Sequence, residues 1–213
     1  GRTVGTAVKL TPLDPGKVTK ISLPISAPDA VAWSPATPVL YTASVDIEIE
    51  GTTYSRVSTR FGFRTVEVRD SQVLLNGDPI YMAGFNRHED TSWTGMARNT
   101  KIVREDIQRM KRMGMNFMRC SHYPNDAGVL DLCDEMGLLV MVEMPIHLNG
   151  KNTDEGAGYI KKMIRHNKNH PSIIFWSVSN EQNERHMAVV NQHSALIKLV
   201  RKLDPTRLAV HAS

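Results

Sequence analysis

The stretch Pro171–Asn183, "PSIIFWSVSNEQN", decides the reading of the chain. Ile173, Ile174, Phe175, Trp176 and Val178 are five apolar residues in six, so both faces of an extended segment are apolar. Such a strand is buried on both sides, as in a parallel sheet covered by helices. The polar run "SNE" follows at once and leaves the carboxylate of Glu181 where the buried strand ends.

The same pattern recurs on either side. Upstream, "IYMAGF" from Ile80, "NFMRC" and "LLVMVEM" read as three more apolar strands, and "RLAVHA" as a fifth. Helical periodicity separates them. Val103, Ile107 and Met110 share one face of a helix over 100–113 that stops at Gly114. Val129, Leu130, Cys133 and Met136 line a second from Asp126, ended by Gly137, and a weaker third covers 156–167. Val189, His193, Leu196, Val200 and Leu203 stripe a fourth over 184–203, ahead of Pro205.

Alternating strand and helix leaves a doubly wound sheet or a (β/α)8 barrel. Polar groups follow four successive strands: "NRHED", "RCSHYP", the Glu143 segment with His147, and "SNE". Convergence of polar groups on one rim is the barrel's habit, whereas a doubly wound sheet carries a Gly-rich phosphate loop after its first strand. Neither GxGxxG nor GxxxxGK is present, so the expectation is a truncated (β/α)8 barrel over 80–213 with about five of eight strands. Residues 1–64 alternate instead, with Val45, Ile47 and Ile49 on one side of "TASVDIEIEG", and predict an antiparallel β-sandwich, which the family resemblance given below makes immunoglobulin-like. Residues 65–79 read as a linker of two short strands, turned by Asn76 and Gly77.

Composition narrows the function. The 213 residues carry 26 Lys and Arg against 22 Asp and Glu, a net charge of +4, and the basic residues gather on "KIVREDIQRMKRM" and "KKMIRHNKNH". Both read as solvated helix faces without interleaved aromatics, so no nucleic-acid partner is expected. No apolar run approaches the ~20 residues of a membrane span, and no signal peptide is recognisable, so a soluble chain with no membrane partner is expected. Cys120 and Cys133 have no zinc spacing and read as free buried thiols.

Two long segments, "NFMRCSHYPNDAGVLDLCDEMGLLV" (116–140) and "NKNHPSIIFWSVSNE" (167–181), resemble the signature segments of glycoside hydrolase family 2, the β-galactosidase and β-glucuronidase group. "WSPATPVLY", "FGFRTVEV" and "LLNGDPIYMAGFNRHED" are similar to the stretches joining that family's immunoglobulin-like domain to its barrel. The resemblance implies hydrolysis of a terminal β-glycosidic bond with retention, a carbohydrate substrate, and Glu181 as acid/base. It also implies that Asn180 bonds the sugar 2-hydroxyl. His122, His88 and Asp90 would line the sugar pocket, with Arg119 behind them. Members that hold Mg2+ use a Glu and a His after the third strand, where this sequence has His147 and Asn149, and no cofactor is expected. The nucleophilic Glu follows the seventh strand in that family, so these residues alone are expected not to cleave glycosides. Three missing strands would leave an open barrel, completed by a longer chain or by self-association.

The residues themselves leave other readings. Glu181 can serve as a cap for the next helix, or as an acid whose pKa is raised beside Trp176. Glu143, on an apolar strand, orients an Arg or His, or acts as a second carboxylate. His88, His122 and His147 offer a metal set, and Ser121, Ser177 and Ser179 offer an ester hydrolase nucleophile.

Overall fold

The computed structural model describes residues 5–9, 11–12, 14–97, 99–145, 148 and 150–212, and divides into two compact units, Gly1–Val31 and Ala32–Ser213. The described part of the first unit holds no strand or helix. In the second, β1 (Tyr41–Ile49) and β2 (Thr52–Phe61) form an antiparallel hairpin turned at Glu50 and Gly51. The period of two holds, but Val45, Ile47 and Ile49 are 60%, 49% and 54% exposed, and no second sheet faces them among the described residues.

A three-stranded meander follows: β3 (Val66–Arg69), β4 (Gln72–Leu75) and β5 (Asp78–Pro79). Asn76 and Gly77, at φ of 55° and 90°, turn β4 into β5, as a two-residue loop with positive φ at both positions should.

Five parallel strands then alternate with four helices: β6 (Gly84–Arg87), α1 (Thr100–Arg112), β7 (Phe117–Cys120), α2 (Ala127–Met136), β8 (Leu139–Glu143), α3 (Thr153–Asn167), β9 (Ile173–Asn180), α4 (Met187–Leu203) and β10 (Leu208–Ala212). The sheet order is β10-β9-β8-β7-β6, sequential from one edge to the other. A doubly wound sheet reverses its order at a switch point, whereas an arc of a barrel does not. The strands are therefore a barrel segment.

The helix boundaries have local causes. The Asn99 side chain accepts from the backbone N–H groups of Lys101 and Ile102, and that of Asp126 from Gly128, each a cap worth about 1 kcal/mol. Gly137 closes α2 at φ 67°, and a Cβ there would collide with the Pro35 carbonyl. Strand β6 begins later than the apolar run from Ile80 suggests, because Asn116 intervenes. Its side chain donates to the Tyr81 carbonyl (2.8 Å) and accepts from the Ala83 N–H (3.0 Å), replacing ladder bonds there.

One face of the sheet is packed by helices. Met118, Cys120, Val140, Val142, Trp176 and Val178 lie fully buried against Ile107, Leu130, Ile160, Leu196 and Val200. Leu203 departs from the expected stripe and is 41% exposed. At the strands' starting end, Trp33 is fully buried with Leu75, Leu139 and Ile174, and its indole N–H donates to the Asp134 carbonyl (2.8 Å). Arg64 adds bonds to the carbonyls of Pro171, Ile173 and Thr206, and burial lowers its pKa to about 9. These anchors leave the opposite end of the sheet for the polar rim. No helix is long and apolar enough to cross a membrane among the described residues.

Candidate active site

Strand pairing sets the rim. Glu143 on β8 stands opposite Ser177 on β9, and Arg119 on β7 lies two residues below the corresponding level. Their side chains all point away from the helices, since the alternate residues Cys120, Val142 and Trp176 belong to the helix-packed core.

Glu143 is completely buried, and its charge is met from three sides. Arg119 donates through Nε (3.1 Å) and Nη2 (2.8 Å) to Oε2, Ser177 Oγ donates to the same oxygen (2.8 Å), and His122 Nδ1 lies 2.8 Å from Oε1. A buried carboxylate is tolerated only with such pairing. It is thereby fixed as the residue that orients Arg119 and His122, and its oxygens are not free to attack a substrate.

The bonds also assign the outward atoms. Arg119 Nη2 has two hydrogens, and its shortest contacts are Asn180 Oδ1 (2.6 Å) and Glu143 Oε2 (2.8 Å). The Asn180 oxygen is therefore turned inward, and its NH2 group is left as a donor. His122 Nδ1, closer to Glu143 than to Arg119 (3.2 Å), carries the hydrogen and donates to the carboxylate. In the neutral tautomer so oriented, His122 Nε2 is the acceptor. The rim so presents one donor and one acceptor, suited to hydroxyl groups.

His88 stands beside this set, its ring 5.3 Å from that of His122 and edge-on to it. Tyr123 links the two loops: its hydroxyl accepts from the Glu89 N–H (3.1 Å) and lies 3.4 Å from His88 Nδ1. Sequence reasoning passed over Tyr123, although it sits within the "SHYP" stretch. Asp90 is exposed and makes no hydrogen bond to these residues among those described.

Glu181 follows Asn180 directly. Its N–H donates to the Ala212 carbonyl (2.8 Å), which extends the β9–β10 pairing to the rim. Its φ is 44°, a left-handed conformation that costs a non-glycine residue about 1 kcal/mol and concentrates at functional sites. The side chain is exposed. It caps no helix, since α4 starts at Met187 with His186 as its cap. Trp176 does not lie against it as expected. The indole is fully buried on the helix side, where its N–H donates to Asp204 Oδ2 (2.9 Å).

The other readings fare less well in the geometry. Ser121, Ser177 and Ser179 are fully buried; Ser121 Oγ donates to the Arg119 carbonyl, the one Ser177 hydroxyl hydrogen goes to Glu143, the nearer of two acceptors, and Ser179 Oγ has no partner among the described residues. None is paired with an imidazole base among the described residues. His147, one member of the alternative three-histidine set, and Asn149 lie outside the described residues, as do the positions compared with the family's Mg2+ ligands. Cys120 and Cys133 are buried and free, with burial pushing Cys120 up to about 12 and Cys133 well above its ordinary value.

Comparison with known proteins fits this frame. Residues 66–213 match "Glycosyl hydrolases family 2, TIM barrel domain" and residues 1–64 match "Glycosyl hydrolases family 2". The chain belongs to glycoside hydrolase family 2. It is 33% identical over 202 residues to a β-glucuronidase of Streptococcus agalactiae, covering 85% of this chain and 34% of that protein. Among solved structures it is similar to a family 2 β-galacturonidase from Eisenbergiella tayi bound to galacturonate, with a TM-score of 0.80 and 32% identity over 88% of this chain and 35% of that one. It is also similar to a Bifidobacterium dentium β-glucuronidase complexed with coumarin-3-O-glucuronide, with a TM-score of 0.80 and 31% identity over 86% of this chain and 32% of that one. The chain thus spans about a third of the length of these relatives.

Proposed function

We propose that these residues form the acid/base half of a retaining β-glycosidase, with Glu181 as the proton donor. The observation that carries the reading is Glu181 at positive φ beside Asn180, whose amide is held by the Arg119–Glu143 pair. Asn180 Nδ2 donates to a sugar hydroxyl next to the scissile bond, and His122 Nε2 accepts from another. His88 and Asp90 line the pocket from the β6 loop. Glu181 protonates the departing oxygen, then takes a proton from the incoming water.

Retention needs a second carboxylate about 5–5.5 Å from the first, ionised and free to attack the anomeric carbon. Glu143 is spent on Arg119, His122 and Ser177, so the nucleophile is proposed to come from outside these 213 residues, which alone do not cleave glycosides. The substrate class follows the relatives: a β-linked uronide, since two of them are β-glucuronidases and one was solved with galacturonate. Residues 1–64 are proposed as part of an immunoglobulin-like sandwich, 65–79 as its linker, and 80–213 as the barrel portion. The inward face of the sheet, half-buried at Phe117, Met141, Phe175, Leu208 and Val210, is proposed to be covered by further strands or a second copy. A monodisperse monomer of this chain in light scattering would count against that covering.

The test is a panel of nitrophenyl β-glucuronide, β-galacturonide and β-galactoside against short acyl nitrophenyl esters. It is applied to this chain and to a form extended by the proposed further strands, termed the full-length protein below. Uronide turnover by the full-length protein, lost in Glu181→Gln, is the expected result. Ester turnover lost only in Ser121→Ala or Ser177→Ala would replace this reading with an ester hydrolase.

A further inference from the structure

Three residues beyond Glu181, a second cluster of chemically able side chains is built from three separate elements. Glu184 lies in the β9–α4 loop, His193 on α4 and His211 on β10. His211 Nδ1 is 2.8 Å and His193 Nδ1 3.1 Å from the same oxygen, Glu184 Oε1. The two imidazole rings lie 5.0 Å apart, tilted by 31°. One ligand atom from each residue falls within 4.8 Å of the others. The glycosidase reading uses none of the three.

We propose that Glu184, His193 and His211 form a binding site for one first-row divalent cation, with Zn2+ as the best fit. Two imidazole nitrogens and one carboxylate oxygen are the donor set that Zn2+ accepts from protein while keeping a position for water. The set discriminates against Mg2+ and Ca2+, which prefer all-oxygen shells. Both rings turn the same nitrogen, Nδ1, onto one oxygen, and both must do so from fixed backbone positions. That convergence is preorganisation for a shared centre, and a cation of small radius needs only slight separation of the three atoms to enter.

Burial separates the three residues. His193 is 4% exposed, and its Nε2 is buried with no hydrogen-bond partner among the described residues. A shared hydrogen bond to one carboxylate oxygen is a weak hold for two rings, whereas Nδ1 coordination is a strong one. Glu184 and His211, each 34% exposed at the side chain, leave an entry path and room for a water ligand. Binding would tie the β9–α4 loop to α4 and β10 at once.

The test uses the metal-free 213-residue chain, titrated with Zn2+ by calorimetry and with Co2+ by visible absorption. The expected result is one ion per chain, with the d–d bands of Co2+ in low coordination. Affinity should fall by more than the roughly 10- to 100-fold that loss of an outer hydrogen-bond partner costs a metal site, in both His211→Ala and Glu184→Gln. His166→Ala, exposed on α3 and outside the cluster, should bind as the parent does. Circular dichroism of each variant confirms that it is folded, and the partly exposed His211 and Glu184 are chosen to keep it so. Absence of saturable binding would overturn the site. Equal binding by parent, His211→Ala and Glu184→Gln would overturn it too, assigning the ion to other histidines.

Discussion

Two arginine–carboxylate pairs with enclosed carboxylates contrast among the described residues: Arg207–Asp204, just ahead of β10, and Arg119–Glu143 on the rim. In the first, all five Arg207 N–H groups are spent inside the protein: on Asp204 Oδ2 (2.7 Å), Thr206 Oγ1, and the carbonyls of Ile173, Lys168 and His170. Asp204 is equally enclosed, accepting from Trp176 and from both the N–H and hydroxyl of Thr206, with the guanidinium over the Trp176 ring. The rim pair differs in what it leaves unfinished. Arg119 and Glu143 bind side chains, Asn180 and His122, whose remaining polar atoms face outward. A closed pair joins α4 to β9 and the α3–β9 loop. An open pair aims groups at something the protein does not contain.

The largest expected effect lies in the closed pair. Asp204→Ala leaves a buried guanidinium without its counter-charge and should cost about 3–5 kcal/mol in urea unfolding. Loss of less than about 1 kcal/mol would mean that water reaches Arg207. Acid offers a second probe. Burial tends to raise the Asp204 pKa, but Arg207, Thr206 and Trp176 outweigh it and hold it at about 2. Since the folded value lies below the unfolded one, near 3.9, the unfolded state takes up the proton first and stability falls as pH drops from about 4 through about 2. The contribution lost is roughly 2 kcal/mol, and it should vanish from the pH–stability curve of Asp204→Asn.

The open pair should be softer. Glu143→Gln keeps the shape of the side chain, and Arg119, 14% exposed, can recruit water, so the stability loss should be about 1–2 kcal/mol. Its cost should fall on uronide turnover by the full-length protein, with at least about 100-fold lower kcat/KM from misaligned Asn180 and His122. Equal and large stability losses in both pairs, with turnover intact, would erase the distinction. The smallest effect belongs to the thiols. Cys120 and Cys133 are buried with raised pKa, so alkylation should leave the folded chain untouched and follow only its unfolding.

The difference between the pairs also marks what was legible in the residues. Apolar strands with helical stripes between them spelled out the barrel segment, because burial on both faces leaves a composition signal that needs no partner information. The rim residues were legible as residues but not as a network. Glu143 looked like a possible nucleophile until its register against Ser177 and its contact with Arg119 were known. Trp176 was assigned to the wrong neighbour because adjacency in sequence says nothing of which face of a strand a ring takes. The "LDPTR" stretch was read only for its Pro205 helix stop. Its Asp204, Thr206 and Arg207 take their roles from contacts as much as 142 residues away, which local pattern cannot carry. The Glu184, His193 and His211 cluster was invisible for the same reason: its members lie on a loop, a helix and a strand.

The central claim is that Glu181 is the proton donor, and Glu181→Ala in the full-length protein with added azide tests it most directly. Without an acid/base residue, a glycosyl intermediate is stranded until a small anion attacks it without needing a proton removed. Azide should restore turnover of an activated aryl β-uronide and yield the β-configured glycosyl azide. No restoration, or an α-configured product from direct displacement, would contradict it.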